Sequence, residues 1–473
     1  MSIETRKLAG NIGVAFVAQG FALCVSFIMS FFVPKILGTQ EFGYWQLFIF
    51  YTNYVSLLQF GLNDGIYLIY GGRTRDELDL PTIRAVFRTN LLFQLLVATV
   101  IMVCAVCFIY DQSRMQVLIA TGLYAFLFNI TYFIGFLFQA TNEVKKYSVS
   151  QVIDRLFFLI VLLFLIVVRV DSFIPYVVAF LFGRCVAFGY AIVAGWDFIW
   201  GQTAREGVMK ECFRDMRVGI KLTFANMASL LVLGIFRFVV DAQWSIEVFG
   251  QFSLALTLVS FFLTFISQIS MVLFPALRRV QKEDLAHFFQ SVSGLLATIM
   301  PIAYIVYTPI AIVLSYWLPD YGDALGFFAL LLPICVFDSR MSILGTTILK
   351  VARKETFLLI LNCITVIFSF ILALLGAVVL HDLSAMCLFA VMSVAARSLV
   401  AEVFLSRYLG LSIASHFPML IGELALACIF IAVNSVCSEL LAGALVLIAF
   451  LSFLLIFRCF IADSIKEAHG LFQ

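Results

Sequence analysis

Residues Pro34 to Arg73 read PKILGTQEFGYWQLFIFYTNYVSLLQFGLNDGIYLIYGGR. The stretch opens on a turn expected from Pro34, Gly38 and Gly43 and stops at Gly71-Gly72-Arg73. Between them lie 26 mostly apolar residues, Tyr44 to Ile69. At ~1.5 Å of rise per residue such a run crosses a hydrocarbon layer of ~30 Å, so it is expected to be a membrane-spanning helix. Its last third carries Gln59, Gly61, Asn63, Asp64 and Gly65. Polar groups at membrane depth need protein or water beside them, so this face is expected to look inward.

Composition extends this reading to the whole chain. Of 473 residues 63% are hydrophobic and 12% charged, and the mean hydropathy is +1.08. A soluble domain cannot hide that much apolar surface, so the chain is expected to be an all-α, polytopic membrane protein. The net charge of +2 says little about partners; where the charges sit says more, and no nucleic acid is expected. Cys104 and Cys107 form a C-x-x-C inside an apolar run, where inert packing is expected rather than redox or metal chemistry. No cofactor and no metal site is expected.

Apolar runs of about 20 residues mark about 14 spans: 10–33, 44–69, 89–110, 116–138, 149–169, 174–196, 218–240, 251–275, 288–317, 324–349, 356–380, 384–406, 417–436 and 440–460. Counting Lys and Arg between them puts 21 on one side and 3 on the other, so both termini are expected to be cytoplasmic. Trp45, Trp196, Trp200, Trp244 and Trp317 fall at span ends, as an aromatic belt would place them. The connections are short, and no phosphate-binding loop, H-E-x-x-H or Ser-His-Asp grouping is present.

A weak internal repeat relates the halves. Glu41-Phe42-Gly43 after the first span echoes Glu247-Val248-Phe249-Gly250 after the seventh, and basic elbows follow the fourth and tenth spans at QATNEVKKYS and KVARKETF. The expected architecture is two pseudo-symmetric six-helix lobes, 1–200 and 201–410, with two C-terminal helices in 411–473, a scaffold suited to alternating access.

Six basic residues fall inside spans: Arg155, Arg184, Lys221, Arg237, Arg340 and Arg397. Each costs roughly 2.5–3.5 kcal/mol at a bilayer centre. Lys221 can snorkel, Arg237 has Asp241 one turn away, and Arg155 stands between a structural and a binding role. Arg184 and Arg397 lie mid-span, each on the sixth helix of its lobe, with no acid three or four residues away. Asp338 is two residues from Arg340 and points to the other side of its helix. Arg184 and Arg397, with Arg340 in support and Arg155 and Arg237 as further members, are candidates for holding a pyrophosphate, for which planar guanidinium forks are suited. Inter-helix pairing with Asp154, Glu402 or Glu423 is the alternative. Gln59, Asn63, Asp64 and Asn129 could contact sugars or join helices, and Asp64 and Glu402 are candidates for proton or sodium coupling.

The PKILGTQEFGYWQLF turn, the FGLNDGIYLIYGGR ending, the QATNEVKKYS elbow and FISQISMVLFPALRR from Phe265 resemble the polysaccharide transporter family. This is the O-antigen and capsule-unit flippase branch of the multidrug, oligosaccharidyl-lipid and polysaccharide exporter superfamily. The resemblance implies a MATE-like fold and a flippase that moves undecaprenyl-pyrophosphate-linked oligosaccharide across the bacterial inner membrane. It implies membrane lipids as surroundings, a polysaccharide polymerase and chain-length regulator as partners, and cavity cations that meet the pyrophosphate. The first span lacks arginine, unlike the related peptidoglycan-precursor flippases. The rivals are a drug or metabolite exporter of the same superfamily and a membrane-embedded glycan polymerase or ligase.

Overall fold

The computed structural model describes residues 20, 25–204, 206–277 and 282–462. Most of the first expected span, both chain termini and Arg278 and Arg279 lie outside the described residues.

The span from Tyr44 differs from expectation at both ends. Helix α1 begins at Val33 and runs Val33–Thr52, with Pro34 in its first turn, where a missing N–H leaves no bond unmade. Gly38, at φ 69° and ψ 177°, is not helical, so α1 is two helical pieces meeting at a kink: the expected turn is present at Gly38, while Pro34 and Gly43 lie in the helical pieces on either side. Trp45 consequently sits mid-helix. It is 1% exposed among Phe48, Phe158, Tyr176 and Phe180, so it is a core residue and not a belt residue. After Thr52 the helix stops. A 3-10 turn, Val55–Gln59, and the left-handed pair Phe60 (φ 51°) and Gly61 (φ 84°) lead into α2, Leu62–Tyr70. The span is two helices with a break at membrane depth.

The first set continues through α3 (Leu80–Phe108), α4 (Gln112–Ala140), α5 (Val144–Val168) and α6 (Phe173–Ala194). Short polar loops start these helices. Asp79 accepts from the Thr82 hydroxyl at 2.6 Å, and Asp111 accepts from Ser113 N at 2.8 Å, Arg114 N at 3.1 Å and Tyr44 Oη at 3.0 Å. Glu41 accepts from Phe173 N at 2.8 Å and so supplies the first turn of α6 from another part of the chain. Two-thirds of the apolar window of α4 is buried, against 17% for α3 and 22% for α5. Thus α4 is the central helix of this set, packing Ile130, Phe133, Ile134, Leu137 and Phe138 inward.

Helix α7 (Val208–Gln243) carries the boundary between two compact units, which divide after Met227. The second unit holds α8 (Ile246–Leu277), α9 (Lys282–Ile299), α10 (Ile302–Trp317), α11 (Gly322–Leu331), α12 (Ile334–Arg340), α13 (Glu355–Leu374), α14 (Leu383–Leu409), α15 (Ile413–Val436) and α16 (Glu439–Ile456). A π-turn, Met341–Thr346, extends α12. No strand occurs among the described residues.

Eleven helices among the described residues are long and apolar enough to cross a bilayer, and a pair bent by 42°, Pro319–Leu331 with Ile334–Val351, makes a twelfth. They coincide with the third to fourteenth expected spans; the second is the broken α1–α2. Leu92, Leu96, Val103, Val167, Ile364, Val379 and Ile448 are each at least 50% exposed, which in this protein means facing lipid. The chain is a multi-pass membrane protein.

Candidate functional site

The break between α1 and α2 leaves backbone carbonyls without helical partners in an apolar setting, and side-chain amides fill them: Asn129, picked out in the sequence, and Gln94, which sequence reasoning missed. Asn129 on α4 donates to Val55 O (3.1 Å) and to Gln94 Oε1 (2.9 Å), and Gln94 donates to Leu58 O (3.0 Å). Asn63 donates to Asn129 O at 3.1 Å, and its own N–H donates to Gln59 Oε1 at 2.7 Å. These amides join helices, one of the two roles open to them. Asp64, 8% exposed, accepts from Gln59 Nε2 at 3.1 Å and from the Thr223 hydroxyl on α7.

Glycines permit that approach. A Cβ on Gly65 would stand 1.9 Å from Asp215 O, and one on Gly219 would stand 2.0 Å from Gly61 O. The two backbones touch, so no side chain fits between them.

Arg184 projects from α6, is 3% exposed and pairs with Asp154 of α5 at 2.7 Å. It also donates to Tyr124 Oη at 3.2 Å, and its guanidinium lies 5.3 Å from the Tyr124 ring centre and 5.2 Å from that of Phe128. Its Nε and Nη1 are buried without a hydrogen-bond partner. The helix contact that brings α5 to α6 passes over Gly183, where a Cβ would lie 2.6 Å from Asp154 O. Beyond Tyr124 the α4 rings form a ladder: Tyr124–Phe128 at 5.6 Å, Phe128–Tyr132 at 4.1 Å and Tyr132–Phe136 at 5.7 Å. Tyr147 and the exposed Tyr67 flank its far end. Sequence reasoning missed this row. Its signal was an aromatic residue at every fourth position from 124 to 136, which stacks on one helix face.

In the second unit Arg397 of α14 pairs with Asp338 and donates to Ser229 Oγ at 3.3 Å, leaving Nε buried and unpartnered. Arg184 takes its acid from α5, the preceding helix, whereas Arg397 takes its own from α12, two helices back. Arg340 is fully buried. Its Nε and Nη2 hold Glu402 at 2.6 and 2.8 Å, Nη1 reaches Glu423 Oε1 at 2.8 Å and Ser293 O at 3.3 Å, and Nη2 also reaches Ser293 Oγ at 2.7 Å. All five of its N–H groups are engaged. Arg237 donates to Ser253 Oγ at 3.1 Å, with Phe249 near its guanidinium. Arg155 is half-buried and makes no hydrogen bond or ion pair among the described residues.

The sequence matches the family described as polysaccharide biosynthesis protein over residues 8–281. No curated protein sequence matches the chain. Among solved structures, the chain is similar in fold to the lipid II flippase MurJ in an inward closed conformation, with a TM-score of 0.64 at 11% identity, covering 95% of this chain and 99% of that one. It is also similar to a multidrug resistance MATE family transporter of the MOP superfamily. The inward-facing form gives a TM-score of 0.56 at 14% identity, covering 84% of this chain and 94% of that one. The outward-facing form gives 0.54 at 11% identity, covering 85% and 94%. At these identities the likeness establishes the fold, while the family match extends over more than half of the sequence: the chain belongs to the polysaccharide biosynthesis protein family.

Proposed function

We propose that this protein is a flippase that carries undecaprenyl-pyrophosphate-linked oligosaccharide units, of O-antigen or a related surface polysaccharide, across a bacterial inner membrane by alternating access. The observation that carries the reading is Arg184: a buried guanidinium at membrane depth with two N–H-bearing nitrogens unpartnered, at the head of an aromatic ladder. A phosphate oxygen accepts charge-assisted hydrogen bonds from such donors, and the planar rings offer apolar faces to sugars. Asp154 holds Arg184 in place until the anion arrives. Arg155, one residue from Asp154 and unpaired, adds a second cation, and Arg397 with its unpartnered Nε is the counterpart in the second lobe. Asp64, buried against Gln59 and Thr223, is the ion-coupling candidate. A polymerase and a chain-length regulator would take up the product on the far side, and both termini of the flippase would be cytoplasmic.

The test is a deletion strain whose extracted lipids are read by mass spectrometry. Accumulated lipid-pyrophosphate oligosaccharide with loss of surface glycan is the expected result. Normal delivery of complete units to the outer leaflet refutes it. In a complemented strain, normal surface glycan with the Arg184→Ala, Arg397→Ala double variant would remove the proposed arginine pair.

A further inference from the structure

The cluster of Arg340, Glu402 and Glu423 plays no part in the proposed handling of substrate, and its charges do not balance. One guanidinium faces two carboxyl groups, and the three side chains are 0%, 4% and 1% exposed. Glu402 is bound bidentately through both oxygens, the geometry of an ionised carboxylate on an arginine. Glu423 is different. Its Oε1 accepts from Arg340 Nη1, while its Oε2 is buried with no hydrogen-bond partner. A bare carboxylate oxygen in such a place is among the most unfavourable groups a protein can bury, whereas a protonated one is neutral.

We infer that Glu423 holds a proton on Oε2, so that the cluster is a neutral, one-proton site fastening α15 to α12 and α14. Arg340 and Glu402 are the charged groups that face it. Tyr304 of α10, whose hydroxyl also lacks a partner, lies within electrostatic range, as do Cys335 of α12 and Cys428 of α15 about Tyr304. A metal ion fits less well: no group of three His, Cys, Asp or Glu side chains able to hold one occurs among the described residues. Glu423 belongs to the helix pair that follows the two six-helix sets. The site therefore makes the attachment of that pair sensitive to proton loss. When the proton leaves, a net negative charge is stranded and the hold on α15 weakens.

The experiment uses the full chain in nanodiscs and two readouts. By infrared difference spectroscopy the wild type should show the carbonyl band of a protonated carboxyl, and Glu423→Gln should lose one carboxyl equivalent of it. Glu402→Gln should lose the same amount, because one acid then suffices to balance Arg340. Thermal unfolding from about pH 6 to about pH 9 should show the wild-type midpoint falling as pH rises, with Glu423→Gln flat over that range. The double variant Glu402→Gln, Glu423→Gln leaves Arg340 unbalanced and should unfold at a lower temperature at every pH. An unchanged band and pH slope in Glu423→Gln overturns the inference. Failure of both single variants to fold does so too, since glutamine has nearly the shape of a protonated glutamate. A midpoint that follows sodium concentration at fixed pH assigns the site to a metal ion and also overturns it.

Discussion

Removing Arg184 separates a structural role from a binding one. Its ion pair with Asp154 is 2.7 Å long, with side chains 4% and 9% exposed, so neither charge has water to fall back on. Deleting one partner of such a pair costs about 3–5 kcal/mol, because the other is left buried and alone, whereas replacing both by apolar groups is often neutral or stabilising. Arg184→Leu should therefore lower the unfolding midpoint of the purified protein, and Arg184→Leu, Asp154→Leu should recover most of it. Surface polysaccharide in a complemented deletion strain should follow the other pattern. Both variants should fail, since neither offers a cation to the pyrophosphate. If the stable double variant exports normally, the guanidinium serves packing alone and the phosphate site must lie elsewhere. If the single variant is as stable as the wild type, the pair is not buried in the working protein.

Other perturbations have equally definite outcomes. Arg155→Gln breaks no ion pair, so its stability should stay within about 0.5 kcal/mol of wild type while surface glycan falls; equal glycan would dismiss this cation from the site. Gly219→Ala places a methyl 2.0 Å from a carbonyl oxygen and should cost at least about 1–3 kcal/mol by overpacking, seen as low yield of folded protein. Gly326→Ala, in open space within α11, should be neutral or stabilising by about 0.5–1 kcal/mol. Asp111 titrates outside the spans: burial works against its charge, but the Arg114 amide, the Tyr44 hydroxyl, the Ser113 amide and the Arg114 charge together hold it below the ordinary carboxylate range. A lowered value contributes stability above the unfolded value of about 3.9 and loses it as pH falls through the folded one. Asp111→Asn should remove that acid limb, as read by thermal unfolding across acidic pH.

Spans were legible because hydrophobic length is a local property. Each run between polar loops reports itself, and the twelve described crossings fall where the runs lie. Arg184, Arg340 and Arg397 were legible as anomalies for the same reason, since no acid on their own helix faces could account for them. Their partners were not. Asp338 belongs to Arg397 and not to its near neighbour Arg340, because pairing across helices depends on packing that sequence spacing does not encode. The polar set from Gln59 to Gly65 announced something unusual, but a break and a continuous helix with a polar face leave the same composition. Trp45 was misplaced because the helix start was taken at Tyr44; the helical piece already begins just after the kink at Gly38, and the ring packs in the core rather than at the membrane surface.

That break also sets an order of events during synthesis. The carbonyls of Val55 and Leu58 are satisfied by Asn129 and Gln94, the first of these 74 residues further along the chain. At 5–20 residues per second the ribosome needs roughly 4–15 s to make that stretch. Until α4 arrives, the second crossing has no finished hydrogen bonding and cannot be released into lipid as a completed unit. The second, third and fourth crossings should therefore leave the insertion machinery together, as a group rather than one at a time.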